Sequence, residues 1–155
     1  MSGRIANRLS ELGIDLPKAP NPVANYQPYV VSGNLVFLSG QVTIWNGEMK
    51  YQGKVGRDLT VEQGQKAARM CGLNLIAQVR AACGGDLDRV KRVVRLGAFV
   101  NCVDEFKDHP QVVNGASDLM AEVFGDAGRC TRTNVGVPSL PLGFAVEIDG
   151  IFEIE

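Results

Sequence analysis

Apolar positions along this sequence switch between helical and strand periods, and the switches lay out the elements. Ile5, Leu9 and Leu12 recur at helical spacing, so a short amphipathic helix is expected there, ended by Gly13 and Pro17. The stretch PKAPNPVANYQP is rich in proline and asparagine and reads as an extended arm. In YVVSGNLVFLSGQV two apolar runs split by Ser32-Gly33-Asn34 predict a hairpin. Its better strand is expected over residues 35–45, followed by the turn Trp45-Asn46-Gly47-Glu48 and a polar loop, KYQGKVGRDL. Thr60 and Gln63 then form a capping box. Ala68, Cys71, Leu75, Val79 and Ala82 continue it as a helical stripe, which Gly84-Gly85 stops after about 22 residues.

Residues 89–102 return to strand period, with Val90, Val94, Leu96, Ala98 and Val100 on one parity. Pro110 suits the first turn of a second long helix, whose buried stripe is Val113, Ala116, Met120 and Phe124 and whose stop is Gly125. Two strands follow. Thr133, Val135 and Val137 share one face of RTNVGV, with Arg132, Asn134 and Gly136 on the other. Phe144, Val146, Ile148, Phe152 and Ile154 share one face of FAVEIDGIFEIE, with Ala145, Glu147, Asp149, Ile151 and Glu153 opposite. The order hairpin, helix, strand, helix, hairpin predicts an α+β layer, one sheet with two helices on one face. Residues 1–25 read as an N-terminal extension and 26–155 as the domain. By parity the uncovered sheet face keeps Val93, Phe99 and Ile151, too much apolar surface for a monomer, so a homo-oligomer is expected to bury it.

Composition narrows the function. The chain has 155 residues, 45% hydrophobic and 21% charged, as in ordinary globular proteins, and a chain of this mass buries about two-thirds of its unfolded surface. No run reaches the roughly 18 apolar residues of a membrane span, and the N-terminus lacks the apolar core of a secretion signal. With four cysteines and no such signal, reduced thiols and a cytoplasmic location are expected. A net charge of −1 argues against nucleic-acid binding. The cluster Arg89, Lys91, Arg92 and Arg95 reads as the solvated edge or end of a strand.

The chemistry-bearing motifs are sparse. Phosphate loops and the GxSxG elbow are absent, and neither a metal knuckle nor any other metal-ligand set stands out. His109 is the sole histidine; beside Pro110 it reads as a loop or cap residue, and a cysteine–histidine nucleophile would need it to meet a cysteine in space. Arg132 is the strongest candidate. It precedes an apolar run in a strand expected to be interior, and its planar fork suits a carboxylate, either of a ligand or of Glu147 or Asp149 on the neighbouring strand. Glu147, amid apolar residues, is either an outward polar position, a partner of Arg132 or a backbone group, or a general base steering water.

The segments GNLVFLSGQV, VVNGASDLMAEVFG and RTNVGVPSLPLGFAVEIDGI resemble the YjgF/RidA family of enamine/imine deaminases, also labelled endoribonuclease L-PSP, over Tyr26 to Glu155. The opening RLSELGIDLP is similar to the longer branch of that family. The resemblance implies a chorismate-mutase-like α+β fold, a homotrimer with clefts between subunits, and no metal or organic cofactor. It also implies hydrolysis of 2-aminoacrylate-like enamines and imines to 2-keto acids and ammonia. By the same resemblance Arg132 clamps the substrate carboxylate and Glu147 holds or activates water. Tyr26, Ser39, Gly40 and Asn114 fall on the family's cleft positions, and Asn134 stands where the short branch usually has cysteine. Pro138-Ser139 replaces a more basic stretch. The alternatives are a cleft that binds a small carboxylate or 2-keto acid without turnover and a ribonuclease, which one histidine and 6% aromatics suit poorly. Nothing favours a chaperone-like surface.

Overall fold

The computed structural model describes residues 3–155. Its centre is a five-stranded sheet built from β1 (Tyr29–Ser32), β2 (Leu35–Gln41), β5 (Val90–Asn101), β6 (Thr131–Val137) and β7 (Val146–Ile154), in the order β1-β2-β7-β5-β6. A separate ribbon pairs β3 (Ile44–Trp45) with β4 (Glu48–Met49). Two long helices, α2 (Val61–Ala82) and α3 (His109–Phe124), cover the sheet. A third, α1 (Arg4–Glu11), packs against α3 through buried Ile5 and Leu9. Its N-terminus is held from afar, because the Asp88 carboxylate accepts the N–H groups of Arg4 at 2.9 Å and Ile5 at 2.8 Å.

Local signals fix most elements. Gly33, at φ 61°, makes the β1–β2 turn, and Asn46-Gly47 (φ 49° and 89°) closes the β3–β4 ribbon as a type I′ turn requires. The expected strand over 35–45 divides into β2 and β3. Asn74 of α2 explains the break, since its amide donates to the carbonyls of both Val42 and Ile44 at 2.9 Å. The capping box of α2 is complete, Gln63 N–H to Thr60 Oγ1 at 3.1 Å and Thr60 N–H to Gln63 Oε1 at 2.8 Å.

Helix α2 buries more than its predicted stripe, because it lies between the sheet and α3. Gly64, Gly72 and Gly115 let the two helices close together. A Cβ on Gly115 would fall on the carbonyl oxygen of Gln65, and one on Gly72 would sit 2.9 Å from Leu119 Cδ2. Alanine at 115 gains about 1 kcal/mol of helix propensity. It meets rigid backbone, and overpacking costs about 1–3 kcal/mol even where side chains can give. Sterics therefore win. Gly115→Ala is expected to lower the melting temperature by roughly 3–6 °C, read by thermal denaturation; a rise would show that the helices separate without cost.

Two sequence expectations fail here. The last two strands do not form a hairpin. β6 pairs in parallel with β5 across the α3 crossover, while β7 inserts antiparallel between β2 and β5. The parity of β5 is also broken, by register shifts between Val90 and Arg92 and between Val93 and Arg95. Val93 consequently turns toward the helices and is fully buried, not on the uncovered face. That face does carry Phe99 and Ile151, both half-buried, with exposed Val30, Phe37 and Val135 in register beside them. The basic cluster divides as well: Lys91 and Arg92 are exposed, Arg89 donates to the Glu155 carbonyl at 2.9 Å, and Arg95 pairs with Asp149.

Candidate functional site

Strict alternation along β7 sends Val146, Ile148, Phe152 and Ile154 into the core and leaves Glu147 and Asp149 on the open face. Opposite Glu147 the β2–β7 register slips between Leu38 and Gln41, so Ser39-Gly40 forms a bulge. The missing side chain at Gly40 makes room for the carboxylate: a Cβ there would lie 2.6 Å from Glu147 Oε2 and 2.8 Å from its Cδ. Among the described residues the Glu147 carboxylate has no hydrogen-bond or ion-pair partner, although it is half-buried. Burial, with the neighbouring Asp149 charge adding to it, holds its pKa above the usual carboxylate range. Burial raises Asp149 too, but Arg95, 3.5 Å away, opposes the shift.

Glu147 lies on the wall of a cavity of about 520 Å³. Bulge residues Ser39 and Gly40 line it on one side, and Pro141, Leu142 and Phe144, just ahead of β7, on another. The arm contributes residues 20–24, Tyr26 and Pro28, and Gln41, Val42 and Ile44 complete the lining. Ser39 fastens the arm to β2: its hydroxyl donates to the Gln27 carbonyl at 2.6 Å and its N–H to the Pro28 carbonyl at 3.0 Å. Four of the residues expected at the site, Tyr26, Ser39, Gly40 and Glu147, thus meet in one pocket.

The other three meet elsewhere. Arg132 lies on β6 in register with fully buried Leu96, so its side chain turns to the helix side of the sheet. Its guanidinium donates to Asn114 Oδ1 at 2.9 Å, Ser117 Oγ at 3.0 Å and the Pro110 carbonyl at 3.4 Å, all on α3. Every one of these acceptors is neutral. Asn134 follows two residues on along the same face. The ion pair with Glu147 or Asp149 weighed from the sequence does not form, because β5 separates β6 from β7 and Leu96 and Phe99 of β5 place Arg132 and Glu147 on opposite faces. Among the described residues, one chain therefore offers a half-buried cation without an anion and a half-buried anion without a cation, on different sides of its sheet.

Several features were not legible beforehand. Cys102 does meet His109, Sγ 3.6 Å from Nε2, in a space that Gly136 keeps open; a Cβ on that glycine would lie 2.7 Å from the sulfur. Burial pushes the Cys102 thiol up, which holds it in the weakly nucleophilic protonated form, and His109 serves as the first residue of α3. Ser117 was missed as an Arg132 partner, although its spacing three residues after Asn114 puts both on one helix face. The arm as a pocket wall was missed because proline-rich extended chain carries no pattern that says where it docks. Among the described residues no group of three His, Cys, Asp or Glu side chains could hold a metal ion, and no helix is long and apolar enough to cross a membrane.

A profile of the family described as "YjgF/chorismate mutase-like, putative endoribonuclease" matches residues 6–150. Protein TCP17 of Trypanosoma cruzi is 49% identical over 154 residues, covering 99% of this chain and 96% of its own. A Dermatophagoides farinae protein named 2-iminobutanoate/2-iminopropanoate deaminase is 32% identical over 144 residues, covering 92% of this chain and 95% of its own. Among solved structures, that of protein Atu1372 from Agrobacterium tumefaciens, of unknown function, superposes with a TM-score of 0.91 at 48% identity, covering 97% of this chain and 92% of that one.

Proposed function

The chain belongs to the YjgF/chorismate-mutase-like family, and on that premise we propose that it hydrolyses 2-imino acids and their enamine tautomers to 2-keto acids and ammonia, at sites shared between the subunits of a homotrimer. The observation that carries this reading is Glu147, half-buried over Gly40 in a cavity and unpartnered among the described residues. An ionisable group kept in that setting loses solvation with no ion pair in return, which is the usual mark of a working acid or base. The unmatched Arg132 supports it from the other side, since its neutral partners hold the guanidinium rigid while leaving its charge for a bound carboxylate. The two groups sit on opposite faces of one chain, so a shared site needs Arg132 of one subunit and Glu147 of the next. A trimer that buries Val30, Phe37 and Val135 supplies that arrangement.

The reaction then proceeds in balanced steps. Arg132 binds the substrate carboxylate, with Asn134 beside it. Glu147 takes a proton from a water whose oxygen bonds to the imine carbon, as the C=N electron pair moves to nitrogen. Glu147 returns the proton to that nitrogen. The carbinolamine hydroxyl then passes its proton by way of Glu147 to the same nitrogen, the C–N bond breaks with its pair leaving on ammonia, and the O–H pair closes the keto group. Imines hydrolyse readily in water, so positioning and one tuned base supply enough acceleration. A cleft that merely binds the 2-keto acid would need Arg132 and make no use of a half-buried Glu147 without a partner among the described residues.

The direct test is a coupled assay. A pyridoxal-phosphate dehydratase converts serine to 2-aminoacrylate, and keto-acid formation is followed with and without the protein. Acceleration over the spontaneous rate is expected. An unchanged rate, repeated with imines made by an amino-acid oxidase, removes the deaminase reading.

A further inference from the structure

The cavity beside Glu147 is larger and more apolar than its chemistry needs. A three-carbon imino acid would cover only part of the roughly 520 Å³ that one chain contributes to the site, and most side chains along the remainder are apolar. Among the described residues lining it, Glu147 is the one with a charge. Resting on the hydrolysis reading above, we propose that the arm and Leu142 form a specificity wall. This wall selects 2-imino acids with a branched or aromatic apolar side chain over those carrying a methyl group.

The first support is how the arm is held. Gln78 of α2, 2% exposed, donates its Nε2 to the Pro20 carbonyl at 2.7 Å. The Lys18 N–H donates to Asn46 Oδ1 at 3.0 Å, and Ser39 fixes the far end at Gln27 and Pro28. Between these anchors Pro22, Val23, Ala24 and Tyr26 are strung along the cavity. A buried amide that donates to a carbonyl of an otherwise irregular segment sets that segment's position, and with it the width of the pocket.

The second support is Leu142, which comes from a different part of the chain. It lies in the left-handed region at φ 57°, where glycine is favoured, and is 58% exposed at the cavity. Its carbonyl accepts from Gln52 Nε2 at 2.7 Å, which holds the backbone in that state. An exposed leucine on strained backbone adds nothing to the core. Strain retained at a cavity next to an unpartnered base points to contact with what enters it. Val23, also 58% exposed, offers a second apolar surface from the arm.

The test compares ligand sizes in two independent readouts. Calorimetry measures the affinity of the wild type for pyruvate, 4-methyl-2-oxopentanoate and phenylpyruvate. Imine hydrolysis is measured as kcat/KM with imines made in place from alanine, leucine and phenylalanine by an amino-acid oxidase. The larger members are expected to be favoured about tenfold or more in both, the range that added apolar carbons reach in a fitted pocket. The double variant Val23→Ser with Leu142→Ser changes exposed positions only, and should reduce the large-to-small ratio at least about tenfold. A wild type without size preference, or a variant with an unchanged ratio, overturns the wall. If no imine is turned over while the keto-acid order holds, hydrolysis fails and the wall stands. If the variants elute as smaller assemblies with their size preference intact, Val23 and Leu142 serve the subunit contact and the wall is wrong.

Discussion

Glu147→Gln is expected to lower kcat for imine hydrolysis by about 10²–10⁴-fold, the usual contribution of a general base, while making the folded protein more stable at neutral pH. Both halves come from one physical state. Burial first, and Asp149 second, raise the pKa of Glu147 in the folded chain. The folded state therefore holds that proton more tightly than the unfolded one. The stability this contributes is full below the unfolded pKa and is lost as pH rises through the raised folded value. At neutral pH the ionised carboxylate is a net cost, and glutamine removes it. The wild-type rate should rise with pH through that raised pKa, at higher pH than an ordinary carboxylate gives. Asp149→Asn, which deletes the second cause, should move this limb to lower pH. A Glu147→Gln enzyme that keeps its rate and its acid limb would identify the cleft as a binding site.

Complementation between two dead variants is the second large effect. Arg132→Ala should reduce turnover below about 1% of wild type, since in the proposed mechanism the guanidinium anchors the substrate carboxylate and orientation carries much of the rate. Arg132→Lys should recover little, because an ammonium cannot reproduce a planar fork held by Asn114, Ser117 and Pro110. Neither variant breaks an ion pair, so both should fold. Co-expressed with Glu147→Gln, Arg132→Ala subunits should regain about one quarter of wild-type activity. In the proposed cyclic trimer each site would draw Arg132 from one subunit and Glu147 from the next, and random mixing makes both intact in about one site in four. A mixture that stays inactive would mean that no site is shared in this way.

What could be read from the sequence was what is decided locally. The Thr60/Gln63 box, the Gly33 and Asn46-Gly47 turns and Pro110 in the first turn of α3 each act within a few residues, and each stands where expected. The alternation along β7 placed Glu147 opposite the core for the same reason. Pairing between distant segments was not legible. Nothing inside RTNVGV or FAVEIDGIFEIE says that they are kept apart by β5, so the predicted hairpin is absent, and with it the alternative of an Arg132 ion pair to Glu147 or Asp149. Val93 lies between two bulges, each of which adds one residue to a two-residue period, so the first reverses it and the second restores the pattern. At the site, the family resemblance pointed to Gly40 and Glu147 separately. Their contact depends on a slip in register between strands about a hundred residues apart, which the fold alone sets.

β7 is the last strand of the sheet to be synthesised, yet it lies between β2 and β5. While the ribosome works through the earlier segments at about 5–20 residues per second, only the β1–β2 hairpin and the β5–α3–β6 unit can assemble. Each half then presents a raw edge with unpaired amides. Residues Val146–Ile154 close both edges in one late event, like a keystone set after the arch. The same nine residues carry Glu147, so a nascent chain sets this carboxylate over Gly40 at the moment its sheet becomes whole.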